Sequence, residues 1–153
     1  MKRLNYKISI QKPAALVYDK MLGISDKNSY QEWTTIFSPT SSYEGDWTKG
    51  KKMLFVSVDD KGEKAGMVSR ILENDENKFV SIQHYGMLKA GVEIVDGPEV
   101  EEWAGGLENY TLEAEGDTTT VSIDIDSAEE HEEYMDKLDP NALLKLKEVC
   151  ERD

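Results

Sequence analysis

His84 is one of only two histidines in the chain, and it stands in the middle of a strand-like run between Gln83 and Tyr85. An imidazole titrates near neutral pH, so inside a pocket it can act as a general base or a hydrogen-bond donor. Glu101 and Glu102 are the carboxylates that would partner it. Simple alternation, however, turns Phe79, Tyr85 and Met87 inward and leaves His84 on the opposite face with Val80, Ile82 and Leu88. That parity favours a structural or surface histidine. Asp124 and Asp126, followed by Glu129 and Glu130, form a second acidic grouping with the donor type of a divalent cation site. Alternation places both aspartates outward, and no Asp-x-Asp-x-Asp-Gly loop is present to specify calcium. His131 precedes Glu132 and Glu133 but lacks the second histidine of a zinc helix. With two histidines and one cysteine, neither zinc nor any other cofactor is expected. No serine occupies a Gly-x-Ser-x-Gly elbow, and no glycine-rich phosphate loop follows a strand. Catalysis therefore has no positive signature.

Aromatic and sulfur-bearing side chains carry the stronger functional signal. Trp33, Trp47, Tyr85, Trp103 and Tyr110, with Met67, Met87, Met135 and Leu138, fall on segments that would border a cavity. Aromatic walls combine apolar area with a polar edge, and methionine adapts to irregular ligands. The alternative is that these side chains only fill a core.

The segments that must position them follow from periodicity. Leu4 to Ile10 alternates as a strand. Pro13 suits the first position of a helix, whose apolar face is Ala14, Val17, Tyr18, Met21 and Leu22 and whose cap is Gly23. Ser29 with Glu32 makes a capping-box pattern for a second short helix through Trp33 and Ile36, which Pro39 stops. Strands then follow over Met53–Val58, Ala65–Leu72, Phe79–Met87, Leu107–Ala114 and Thr118–Ile125. The last two are joined at Glu115-Gly116-Asp117, a hairpin signal. Met53 to Val58 is apolar on both faces, which requires some cover on its outer side. Residues 86–106 hold five glycines besides Pro98 and read as a strand extension with a loop that flanks the cavity mouth. Ser127 and Glu130 form another capping box. The stripe Met135, Leu138, Ala142, Leu146, Val149 then marks one buried helical face, with a kink or short break expected at Asp139-Pro140.

At 153 residues the chain is one domain, large enough for a core without metal or disulfide. One cysteine, Cys150, excludes an internal disulfide, reads as a packed thiol and fits a reducing, cytoplasmic setting. The segment after Met1 lacks the apolar run of a signal peptide, and nothing approaches the length of a membrane span. The net charge of −13 is uneven: residues 93–139 hold seventeen acidic residues against Lys137 alone. Such a field disfavours nucleic acid and anionic lipid, and it could steer a basic protein partner.

Strand, two short helices, a run of antiparallel strands and a long final helix resemble, in that order, the START-like helix-grip superfamily, also called SRPBCC. Gly45-Asp46-Trp47-Thr48-Lys49-Gly50 is similar to the W-x-x-G turn of the branch named for the activator of the heat-shock-protein-90 ATPase. Glu108-Asn109-Tyr110-Thr111-Leu112 with Thr119-Thr120-Val121-Ser122-Ile123 resembles its closing hairpin. Pro140-Asn141-Ala142-Leu143-Leu144-Lys145-Leu146-Lys147 resembles its W-P-K-A-L-x-x-L-K helix, with Asp139 and Asn141 where tryptophan and lysine are expected. The resemblance covers the whole chain. It implies an α+β fold, a curved antiparallel sheet wrapped around the C-terminal helix, and a small hydrophobic or amphipathic ligand between them. Members of the superfamily also include co-chaperone-like modules and cyclases, so the fold does not choose among functions.

Overall fold

The computed structural model describes residues 2–127 and 132–152. Its elements are β1 (Lys2–Ile10), α1 (Ala14–Leu22), α2 (Lys27–Thr34), β2 (Ser42–Gly45), β3 (Lys52–Val58), β4 (Lys64–Asp75), β5 (Phe79–Lys89), β6 (Val92–Ile94), α3 (Pro98–Glu101), β7 (Gly106–Glu115), β8 (Thr118–Ser127) and α4 (Glu132–Glu151). The strands form one open antiparallel sheet in the order β1-β8-β7-β5-β4-β3-β2, with β6 added to β5. This is the α+β helix-grip architecture expected from the order of segments.

Cross-strand partners share a face, so the register defines the inner wall. It runs Tyr6–Ile123–Tyr110–Val80 across one row and Tyr43–Phe55–Met67–Met87 across another. Against this wall α4 lays Ala142, Leu143, Leu146, Val149 and Cys150, all buried. α1 contributes Val17, Tyr18, Met21 and Leu22, and α2 contributes Tyr30 and Trp33. α1 ends at Gly23, whose left-handed φ of 69° lets its amide bond back to Asp19 O at 2.8 Å.

Local details depart from the periodicity reading. α2 is capped by Asp26, whose carboxylate accepts from the Asn28 amide at 3.0 Å, not by Ser29. The Ser29 hydroxyl instead donates to Lys20 O and ties α2 to α1. α4 runs continuously through Pro140, with no break. A proline removes one helical hydrogen bond, and here the buried stripe on both sides holds the helix together. The capping box at Ser127 and Glu130, like the acidic pair Glu129 and Glu130 and His131, falls partly or wholly outside the described residues.

The back of β4 and β5 is covered by the chain itself, whereas outward Leu54 and Val56 of β3 stay half-buried and Val58 is exposed. The inner face of β4 carries Met67, Ser69 and Ile71, so Val68 faces outward, opposite Gly86. Val68, Leu88 and Val100 are buried there, away from the main core. A Cβ on Gly86 would meet Ile94 O at 2.8 Å and Val95 Cγ1 at 2.9 Å, so the segment after β6 lies directly on the back of β5. Within residues 86–106, β6 extends the sheet beside β5 and the segment from Val95 to Val100 covers its reverse, where a cavity mouth was expected.

Candidate functional site

Alternation along β5 is broken. Ser69 pairs with His84 and Val68 with Gly86, so Tyr85 is an extra residue in a bulge. Both His84 and Met87 therefore reach the inner face, and Tyr85 turns out to the back, with the Arg70 guanidinium 5.4 Å from its ring centre. The expected parity of His84 and Tyr85 is reversed.

On the inner face His84 joins a polar chain across three strands. Ser69 Oγ lies 2.6 Å from His84 Nδ1, and His84 Nε2 lies 3.0 Å from Glu108 Oε1. Tyr110 donates its hydroxyl to Glu108 Oε2 at 2.5 Å. A carboxylate only accepts, so Nε2 carries a proton directed at Glu108. Burial acts to raise the Glu108 carboxyl, but the His84 hydrogen bond and charge, with the Tyr110 hydroxyl, hold it below its ordinary value. Glu108 is thus kept ionised in a largely enclosed position. Tyr110 is pushed well up, first by burial and then by the charge of Glu108. Phe55 packs edge-on to the imidazole with ring centres 5.9 Å apart.

α4 brings a second carboxyl to the same place. Asp139 stands three and four residues before Ala142 and Leu143, on the buried stripe, and is only 4% exposed. Its Oδ2 and Asn109 Oδ1 are the buried side-chain atoms without a hydrogen-bond partner among the described residues. Burial, then the charges of Glu108 and Asp136, push the Asp139 carboxyl up to about 7. Two carboxyl groups with oppositely displaced affinities therefore occupy one sheet–helix seam, Glu108 charged and Asp139 half protonated near neutrality.

The cavity candidates divide. Phe55, Met67 and Met87 form a half-buried apolar row beside His84, and Tyr110 belongs to the seam. Met135 and Leu138, on the turn of α4 before Asp139, are half-buried. Trp33 is a core residue: its indole donates to Met21 O at 2.9 Å and meets Tyr30 edge-on. The Trp47 indole donates to Leu22 O at 3.1 Å and borders an open cleft of about 320 Å³ with Ile24, Tyr43, Asp46 and Asn74. Trp103 bonds within its own segment, to Glu99 O at 3.0 Å. A second open cleft, about 370 Å³, lies at the Asp59–Glu63 turn beside Lys89. Neither cleft has a residue of α4 in its wall.

The other chemical candidates resolve into structure. Asp126 pairs with Arg3 at 2.8 Å and accepts from the Leu107 amide, and Asp124 accepts from Asn5 at 2.7 Å. Among the described residues no group of His, Cys, Asp and Glu is placed to hold a metal ion. Cys150 is buried and its thiol is pushed up, mainly by burial, to about 12. Glu101 and Glu102, on α3 and its cap, are exposed; the partner of His84 is Glu108. Glu108 was legible as an acid in phase with inward Tyr110 and Leu112, and Asp139 as an acid in phase with the helix stripe.

No family model and no curated protein matches the chain. Among solved structures it is similar to protein NE0264 from Nitrosomonas europaea, at 18% identity and a TM-score of 0.70 over 96% of this chain and 92% of that one. It is similar to the Aha1 dimer from Colwellia psychrerythraea, at 19% identity and a TM-score of 0.65 over 99% and 98%. DynU16, from the dynemicin biosynthetic locus, matches at 12% identity and a TM-score of 0.68, over 99% of this chain and 48% of that chain. The fold and these similarities define the class: a helix-grip domain. At such identities they speak for the fold alone. No helix among the described residues is long and apolar enough to cross a membrane.

Proposed function

We propose that this protein binds a small amphipathic molecule at the inner face of the sheet, where β7 meets α4, and holds it without covalent chemistry. The observation that carries the reading is the juxtaposition of a half-buried apolar row, Phe55, Met67 and Met87, with a polar cluster that includes a buried carboxyl oxygen without a hydrogen-bond partner among the described residues, Asp139 Oδ2. Binding sites combine apolar walls with a few placed polar groups in this way. The Ser69–His84–Glu108 chain has the residue types of a hydrolase relay, but Ser69 is 0% exposed. A nucleophile that substrate cannot touch does no acyl transfer, and the chain serves instead to orient Glu108 and keep it charged.

The test is a thermal-shift screen over lipids, sterols and aromatic amphiphiles, since a ligand of the native state raises the midpoint. Hits should be weakened by Phe55→Ala and Met87→Ala. A broad screen without any shift refutes the reading. The competing reading, a basic protein docked on the acidic stretch, is favoured by the charge of residues 93–139 but loses Asp124 and Asp126 to internal partners. It requires a captured partner whose recovery falls steeply with added salt.

A further inference from the structure

Helix packing does not explain Asp139. Its position on the buried stripe calls for an apolar side chain, and a buried carboxyl oxygen such as Oδ2, without a hydrogen-bond partner among the described residues, is costly. The groups that act on it are Glu108, in the adjacent strand, and Asp136, in its own helix. Tyr110 from β7 feels both Asp139 and Tyr30 of α2. The nearest strand of β1 presents Tyr6, which donates its hydroxyl to Asp136 at 2.5 Å. Beyond these the relay supplies His84, which already faces Glu108. No lysine or arginine is among the groups acting on Asp139. The seam therefore gathers carboxyls and phenol rings, has His84 as its basic group among the described residues, with that imidazole already engaged by Glu108, and adjoins an apolar row. Glu108, Asp136 and Asp139 belong to residues 93–139, which hold seventeen acidic residues against one lysine.

We propose that the ligand of this site is an amine: its ammonium group takes Asp139 Oδ2 and the free lone pairs of Glu108 as partners, and its apolar body lies on Phe55, Met67 and Met87. This inference rests on the ligand-binding reading above and adds the headgroup. Carboxylates answer the charge through short, charge-assisted hydrogen bonds. An ammonium ion needs Asp139 as a carboxylate. In the free protein near pH 7 about half of the molecules hold a proton there, and that proton leaves to solvent when the amine binds.

The experiment compares n-octylamine, n-octanol and n-octanoate, one chain with three headgroups, by isothermal titration at physiological salt. The amine should bind at least tenfold more tightly than the alcohol, and the carboxylate most weakly. Amine affinity should rise between pH 5 and pH 7 and level off above, and the observed heat at pH 6 should change with the ionisation enthalpy of the buffer as a proton is released. Asp139→Asn should bring amine and alcohol to within about threefold of each other and abolish the pH dependence. Glu113→Gln, which removes an exposed charge of β7, should leave the preference intact and so separates the site from the general acidity of the surface. Equal binding of amine and alcohol, or an amine preference untouched by Asp139→Asn, overturns the amine inference and leaves ligand binding standing. If none of the three binds, the amine inference fails. If the broader screen is silent as well, the ligand-binding reading fails with it.

Discussion

Replacing Asp139 with asparagine should stabilise this protein, by an amount that grows from pH 4 to pH 7 and is full at alkaline pH. In the native state the Asp139 carboxyl is pushed up to about 7 from an ordinary value of 3.8, by burial first and then by Glu108 and Asp136. Between those values the unfolded chain has released the proton and the native chain still holds it. Native stability then falls as pH rises, because the folded state binds more protons than the unfolded state. A difference of about three pKa units corresponds to about 4 kcal/mol lost between pH 4 and pH 8. Asparagine keeps the shape and never ionises. Its variant should match or slightly trail the parent at pH 4, gain steadily to pH 7, and lead by about 2–4 kcal/mol at pH 8. At roughly 2–4 °C per kcal/mol for a chain of this size, that is a rise of several degrees in melting temperature. Urea titrations of both proteins at half-unit pH intervals measure the difference directly. A difference independent of pH, or one that grows toward acid, would refute the placement of a buried, unpartnered carboxyl.

Glu108→Gln leaves one acceptor oxygen for the two donors His84 and Tyr110, sets an NH2 against the other, and should cost about 1–3 kcal/mol in urea unfolding. The same change removes a charge that raises Asp139, so carbon-13 NMR of the Asp139 carboxyl should show its midpoint moving toward acid; a fixed midpoint would deny their coupling. Gly86→Ala forces a Cβ to 2.8 Å from Ile94 O and should cost about 1–3 kcal/mol by the same assay, whereas an unaltered protein would mean that residues 92–106 do not lie on the sheet. Cys150, buried and with its thiol pushed up to about 12, should resist a disulfide reagent until urea unfolds the chain; rapid labelling of native protein would contradict its burial.

The order of elements was legible because most of them carry one clear period. β8 alternates Val121, Ile123, Ile125 against Ser122, Asp124, Asp126, and α4 repeats its apolar residues every three or four. β5 was misread because both of its faces are apolar and its alternation is interrupted. No strict period can turn both His84 and Met87 inward; the bulge at Tyr85 does so, and it is set by pairing with β4. The partner of His84 was sought nearby in sequence, at Glu101 and Glu102, although a sheet brings together residues that are distant along the chain. Glu108 arrives through the pairing of β5 with β7. Pro140 suggested a kink or a short break; the apolar stripe, in phase on both sides of it, belongs to one helix without a break.

α4 also bears on how copies of this protein meet one another. The sheet is open, and β1 stands at its edge with a strand on one side only among the described residues. Such an edge is a template on which a foreign strand can add. Near the end of β1, Lys147 donates to Ser9 O at 3.0 Å and Glu151 accepts the Gln11 amide at 2.8 Å. Lys147 and Glu151 also pair with each other, one helical turn apart. Two side chains of the final helix thus occupy backbone positions that an incoming strand would claim, while Lys2, Arg3 and Lys7 place charge along the rest of the edge. Fraying of the last turn of α4 would free that end of the edge, so the same helix that closes the core also guards the sheet against growth by self-association.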